Sequence, residues 1–400
     1  MTNQSLISGY VAPGFEKVED IFRHNFQYRK EVGAAFCVIK DGEKVVDLWG
    51  GYQDNKRLRK WDENTMVMVF STTKGMASMA FALLHSRGLI DFDEKIARYW
   101  PEFARNGKEN ITIRQLLAHQ AGLCTTDVLL TKEIIENPQK LSRILARQKP
   151  YWEPGTRQGY HAWTIAMYQN EILRRVDPQG RPLHIFFRDE IANKLNLDIH
   201  IGLPDDFNPN RVADLIPITP AKLLSEPELW PEPWLISDIL FKPGWFFIRS
   251  LLHLSFAYPL SNFNKQEYRR LPLGSGCGFT SARDLARLFY AFSHQDPILG
   301  LSRETLKEIE NDPVYPTLST KDIAIRVRIP FSLGFAKPSD YQPFGLNHRA
   351  YGSFGAGGSA AFTDPEAGLS MAYVMNRMGT HIGNDPREVA LRQAVYECIM

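Results

Sequence analysis

The chain has 400 residues, 44% hydrophobic and 23% charged, enough for a large core and ordinary for a soluble globular enzyme. Its 47 Lys and Arg balance 45 Asp and Glu to a net charge of +2, with no long run of like charges, so no nucleic-acid partner is expected. Cys37, Cys124, Cys277 and Cys398 lie far apart without Cys-x-x-Cys spacing, which signals neither a disulfide framework nor a zinc site and fits a reducing compartment.

Met1 to Tyr10 lacks the basic head and apolar segment of a secretory signal, and a cytoplasmic protein is expected. Phe15, Val18, Ile21, Phe22 and Phe26 recur at helical spacing, which predicts a helix over 15–30. Strand-like runs at 34–40 and 44–50 flank Asp41-Gly42, a hairpin signal. Helices are predicted from Ser71 to Arg87, stopped by Gly88, from Thr112 to His119, and from about Ala162 to Val176. The segment 202–268 is rich in Pro, Trp and Phe and has little periodicity. Within it, Trp234 to Leu260 is interrupted by Lys242, Pro243, Gly244 and Arg249. It cannot supply the roughly 20 apolar residues of a spanning helix. A buried helix or pocket wall is expected there, with a lid or membrane-surface contact as the other reading. A helix over 283–292, strands over 359–363 and 369–376, and a helix over 386–398 complete the chain. Strands at both ends with helices between them predict an α+β fold, its sheet assembled from the two termini around a helical insertion.

Three segments could carry chemistry. Ser71-Thr72-Thr73-Lys74 follows the apolar run 66–70 and opens a helix, so the Ser71 hydroxyl and Lys74 amine lie one turn apart on one face. A serine there would also lie near free helix-start amides suited to an oxyanion. The composition yields roughly one Ser-x-x-Lys by chance, and the pattern alone equally fits an N-cap serine and a solvated lysine. Tyr160 follows Pro154-Gly155 and Gly159, so it either projects a phenol into a cleft to shuttle protons or packs at a helix start. The run Tyr351-Gly352-Ser353-Phe354-Gly355-Ala356-Gly357-Gly358-Ser359 leads into a strand; it would let backbone approach a ligand or simply form a turn. It does not match Gly-x-Gly-x-x-Gly, and there is neither Gly-x-Ser-x-Gly nor His-Glu-x-x-His, so no dinucleotide, nucleophile elbow or metal is signalled. His119 and His161 read as structural histidines, and Asp93 and Glu94 as a solvated turn.

In order, these segments resemble the serine β-lactamase and penicillin-binding-protein superfamily, most closely its class C β-lactamase-like, family VIII carboxylesterase branch. The resemblance rests on Phe70-Ser71-Thr72-Thr73-Lys74-Gly75, the stretch 88–103, Ile113 to Leu123, Pro154-Gly155-Thr156 with Gly159-Tyr160-His161-Ala162, and Gly355-Ala356-Gly357-Gly358-Ser359 through Met378. It implies a β-lactamase/transpeptidase-like fold, with 1–75 and 280–400 forming the sheet domain, 76–279 a mainly helical insertion, and the active site between them. It further implies Ser71 as nucleophile, Lys74 as base, Tyr160 as proton shuttle, and oxyanion donors from the amides of Ser71 and Ala356. No cofactor is implied.

Two departures narrow the substrate. The β-lactamase form has Asn two residues after the tyrosine, where Ala162 stands, and the third motif normally carries Lys or His where this chain reads Ser353-Phe354-Gly355. Losing that cation removes the usual partner of a substrate carboxylate, and Phe354 adds apolar character, so a neutral small-molecule ester is expected. His348 and Arg349 are candidates for a replacement charge. The alternatives are a β-lactamase or D-amino-acid peptidase, an acyltransferase, and a scaffold that has lost turnover. Oligomeric state is not readable from the chain.

Overall fold

The computed structural model describes residues 6–217, 219, 246–381 and 383–400. Strands β1 (Ile7–Val11), β2 (Gly33–Lys40) and β3 (Glu43–Gly51) come from the start of the chain. From its end come β7 (Phe331–Ser332), β8 (Phe335–Ala336), β9 (Tyr351–Phe354), β10 (Ala360–Asp364) and β11 (Leu369–Met375). They form one eight-stranded sheet in the order β1-β3-β2-β11-β10-β9-β8-β7, whose paired strands are antiparallel. The two ends of the chain meet at β2 and β11, from Leu369 opposite Lys40 to Met375 opposite Ala34. Asp41 and Gly42, at φ 51° and 87°, make the tight β2–β3 turn that the sequence predicts.

Helix α1 (Glu16–Tyr28) buries Val18, Phe22 and Phe26, spaced four apart on one face. Helix α2 (Thr73–Ser86) is buried along nearly its whole length, because it runs between the sheet and the helical region. Helices α3 (Pro138–Arg147), α4 (Thr164–Val176), α5 (Ala282–Ser293), α6 (Arg303–Glu310) and α7 (Pro386–Ile399) complete the main set. In β11, Ser370 donates to the Ala286 carbonyl of α5, while Tyr373 reaches Glu31 just after α1. Residues separated by an odd number along a strand face opposite ways, so α5 covers one face of the sheet and α1 with α7 the other.

A second sheet, β4 (Val67–Met68), β6 (Gly278–Thr280) and β5 (His200–Ile201), joins three distant segments beside the start of α2. Nothing in the hydrophobic pattern of the chain predicts this sheet or strands β1, β7 and β8. Of the aromatic stretch 234–260, residues 234–245 lie outside the described residues, and Phe246–Leu252 is a short helix. No helix among the described residues is long and apolar enough to cross a membrane. All four cysteines are free thiols.

Candidate active site

Ser71 sits in a single 3-10 turn, Phe70–Thr72, between β4 and α2. Phe70 adopts φ 44°, a left-handed conformation that costs a non-glycine residue roughly 1–2 kcal/mol. The surroundings over-determine it. Val69 donates its N–H to the Gly278 carbonyl at 2.9 Å and accepts from the Ser359 hydroxyl at 2.7 Å. Thr73 donates its hydroxyl to the Phe70 carbonyl at 2.5 Å and accepts from the Gly278 N–H at 2.9 Å, while the Thr72 hydroxyl meets that of Ser359 at 3.0 Å. Thr72 and Thr73, silent in the sequence reading, thus pin the turn that presents Ser71.

Lys74 lies one helical turn on, with Nζ 2.8 Å from the Ser71 Oγ, 2.7 Å from the Ala162 carbonyl and 2.9 Å from the Ser275 carbonyl. Burial holds its pKa well below the ordinary lysine value, and no carboxylate touches the amine. A neutral amine has two N–H bonds and one lone pair. The two carbonyls can only accept, so they take both N–H groups and leave the lone pair facing the Ser71 hydroxyl. Ser275 belongs to none of the sequence motifs. Its hydroxyl donates to the Trp163 carbonyl at 2.6 Å and accepts from the Ala166 N–H at 3.1 Å, fixing the start of α4. The available signal is its setting between Gly274 and Gly276, where added Cβ atoms would lie 2.6 Å from Leu183 and Trp163 respectively.

Tyr160 reaches the same point from the loop before α4. Its phenol lies beside the Ser71 side chain, and the Lys74 Nζ lies 4.9 Å from its ring centroid. Burial raises its pKa, partly offset by the Ser71 hydroxyl, so the phenol stays protonated at neutral pH. The ring is set against His119 and Phe331, with centroids 4.8 and 5.9 Å away, and the buried Asp322 carboxylate, which accepts from the Gln158 side chain at 3.1 Å, lies near its backbone. His161 and His119 behave as structural groups. The His161 Nδ1–H donates to the Gly159 carbonyl at 2.7 Å, its Nε2 accepts from the Leu123 N–H at 3.2 Å, and burial lowers its pKa to about 3. The His119 Nδ1 accepts from the His161 N–H at 3.2 Å. Gly159 is required because a Cβ there would lie 2.5 Å from the Trp152 ring. Asp93 and Glu94 pair with Arg114 and Arg98 on the surface.

The glycine-rich run begins as strand β9. Ser353 faces the nucleophile and donates its hydroxyl to the Ser71 carbonyl at 3.0 Å. Phe354 alternates to the other face of β9, where its ring comes within 3.6 Å of the position a Gly383 Cβ would take. At Gly355 a Cβ would lie 2.2 Å from the Val69 carbonyl, so the backbone passes directly against the Ser71 turn. The next residue, Ala356, is exposed, and its N–H has no acceptor among the described residues. Arg349 does not supply the missing charge; it is engaged by Glu310, with Nη2 at 2.6 Å. The described residues hold no cluster of potential metal ligands.

The beta-lactamase family model matches residues 18–395. The esterase/beta-lactamase LipL of Mycobacterium tuberculosis is 31% identical over 384 residues, covering 93% of this chain and 83% of that protein. A family VIII carboxylesterase of known structure superposes with a TM-score of 0.83 at 34% identity, over 98% of this chain and 99% of that one. A penicillin-binding protein homologue from Caulobacter crescentus superposes at 0.80 with 33% identity, over 98% and 99% of the two chains. With the Ser71, Lys74 and Tyr160 side chains drawn together between the sheet and the helices, and a family match spanning nearly its whole length, the chain belongs to the beta-lactamase family.

Proposed function

We propose that this chain is a serine carboxylesterase that cleaves short or medium acyl esters of small molecules through an acyl-enzyme on Ser71. The observation that carries the reading is the coordination of Lys74, a buried amine whose Nζ lies within 2.9 Å of two carbonyls and the Ser71 hydroxyl with no carboxylate among its partners, so that as a neutral base it turns its lone pair to that hydroxyl. Ser71 Oγ attacks the ester carbonyl as its proton passes to Lys74, and the resulting oxyanion is met by the backbone amides of Ser71 and Ala356. On collapse, the C–O bond to the alcohol breaks; the Tyr160 phenol protonates the leaving oxygen and recovers a proton from the Lys74 ammonium. Water then adds to the acyl-enzyme by the same proton route in reverse, releasing the acid and restoring Ser71.

Names of relatives support an ester substrate, since both LipL and the family VIII enzyme are called esterases. The lining supports a neutral one. Ser353 occupies the position of the family's cation and spends its hydroxyl on the Ser71 carbonyl, and Ala162 offers only its backbone. A β-lactam or a D-amino-acid peptide would bring a carboxylate that finds no cation at position 353 to receive it.

The test pairs fluorophosphonate labelling with p-nitrophenyl esters of increasing acyl length and a chromogenic β-lactam, on wild type and Ser71→Ala. The wild type is expected to label once per chain and turn over the shorter esters faster than the β-lactam. Ser71→Ala is expected neither to label nor to retain more than about a thousandth of the turnover. A wild type that labels with nothing and hydrolyses no ester would end the esterase reading, and equal labelling of Ser71→Ala would remove Ser71 as nucleophile.

A further inference from the structure

The buried Arg387, at the start of α7, touches none of the reacting groups, yet it is bonded to the loop that carries Ala356. An arginine has five N–H donors, and here each has a partner. Nε and one Nη2 hydrogen meet the two oxygens of Asp385, each at 2.8 Å. Nη1 donates to Glu31 at 3.1 Å and to the Arg377 carbonyl at 2.9 Å. The remaining Nη2 hydrogen donates to the Gly357 carbonyl at 2.9 Å.

The clamp around it is rigid. Side-chain exposure is 4% for Arg387, 0% for Glu31 and 3% for Asp385. Asp385 is the N-cap of α7 and accepts the Arg387 backbone N–H at 3.0 Å, while the second Glu31 oxygen accepts from the Tyr373 hydroxyl in β11. The same Gly357 carbonyl also accepts from the Gly379 N–H at 2.8 Å. The loop itself fits only glycine at this contact: Gly357 and Gly358 have φ of 91° and 116°, and a Cβ on Gly358 would sit 2.7 Å from the Asp385 carboxylate. On the strand side, the loop is closed by Gly355 N–H to the Ser359 carbonyl at 2.7 Å. Between these two anchors lies Ala356, exposed and with its N–H unspent on the described residues.

We propose that Arg387, clamped by Glu31 and Asp385, is a positioning residue for the oxyanion donor, holding the Gly357 carbonyl so that the Ala356 N–H faces the reacting centre. The inference rests on the esterase reading above. A guanidinium is suited to the task because its planar fork fixes two carboxylates and two carbonyls in one geometry, which an ammonium cannot do. The result is that the end of the chain sets the catalytic geometry of a loop about thirty residues earlier.

The decisive variant is E31Q/R387M, which removes both members of the Glu31–Arg387 pair and leaves the Asp385 carboxylate with the backbone N–H of residue 387 as its donor. The comparison variant is E388Q/R392M, which removes a second buried pair from the same helix but has no bond to the 355–358 loop. Both are measured for kcat and KM on a p-nitrophenyl ester, and for inhibition by a trifluoromethyl ketone, whose adduct on Ser71 carries an oxyanion. E31Q/R387M is expected to lose about 10²-fold in kcat with KM changed by less than about threefold, and to bind the ketone more weakly by a similar factor. E388Q/R392M is expected to stay within about threefold of wild type in all three. Should E31Q/R387M not accumulate as folded protein, D385N is read in the same way, with about a tenfold loss in kcat and in ketone affinity expected. Wild-type kcat in the folded variant, a kcat loss without weaker ketone binding, or an equal loss in E388Q/R392M overturns the proposal. A wild type that hydrolyses no ester overturns the esterase reading itself, and this inference with it.

Discussion

At the scale of the residue, the proposed role of Lys74 as the base ties its proton to both activity and stability. Its amine is buried against two carbonyls and a hydroxyl, with no carboxylate to favour the charged form, which pulls its pKa well below the usual 10.5. Activity should therefore rise with pH along a limb that ends well below 10.5, as the base becomes free to accept the Ser71 proton. Lys74→Arg keeps the charge but cannot release it, and a fall of about 10³-fold or more in kcat/KM is expected while the protein remains folded. The stability sign follows from the same shift. Between the folded pKa and 10.5 the unfolded chain holds a proton that the folded chain lacks, so stability gained from this site grows as pH rises, by up to about 1.4 kcal/mol per pH unit. Urea midpoints across that range should climb for wild type relative to Lys74→Met, which has no proton to release. An activity limb centred at 10 or above, or parallel midpoint curves for the two proteins, would show that Lys74 is an ordinary charged lysine.

At the scale of the element, two glycines that look alike in the sequence do different work. Gly88 ends α2 at φ 68° with nothing within 4 Å of where a Cβ would stand, so Gly88→Ala should cost about 1 kcal/mol of backbone strain and leave turnover unchanged. Gly355 has an ordinary φ but presses on Val69 and Ser359, both of which hold the Ser71 turn. Gly355→Ala is expected to cost about 1–3 kcal/mol and to lower kcat at least about tenfold, read by thermal unfolding and ester kinetics. Equal kinetics in the two variants would refute the distinction. The contrast also marks what was legible before the structure. Periodicity located α1, α2, α5, α7, β2, β3, β10 and β11, because each is long enough to repeat its apolar pattern against one partner. Strands β4, β5, β7 and β8 span two residues each and leave no period to read. Ser71, Lys74 and Tyr160 were legible because their residue types and order are chemically unusual. Ser275, Asp322 and the two threonines were not, since a carbonyl, a buried carboxylate and a hydroxyl acquire their roles only from tertiary contact. The faces taken by Ser353 and Phe354 were not legible either, because they depend on strand register, which glycine-rich sequence does not declare.

At the scale of the whole molecule, the residues proposed to react, Ser71, Lys74 and Tyr160, lie in the first half of the chain, while the loop at Gly357 is bonded to its last helix. Helix α7 packs Leu391, Val395 and Tyr396 into the core shared with α1, and its start supplies the Asp385–Arg387–Glu31 cluster beneath the loop at Gly357. Near its end the Tyr396 hydroxyl donates to Asp364 at 2.9 Å, and Arg392 reaches back to the Pro343 carbonyl. Removing 386–400 would uncover an apolar strip on α1 and leave the Glu31 carboxylate buried without its cation, a loss of several kcal/mol against a total stability on the order of 5–15 kcal/mol. A chain ending at Asp385 still contains Ser71, Lys74 and Tyr160, so a site that depended on local structure alone would keep reacting. We expect instead that this truncated chain is recovered mostly as insoluble material and that its soluble fraction takes up less than about a tenth of the fluorophosphonate bound per wild-type chain. Stoichiometric labelling of a soluble truncated protein would mean that the nucleophile is assembled without the last helix and the cluster it anchors.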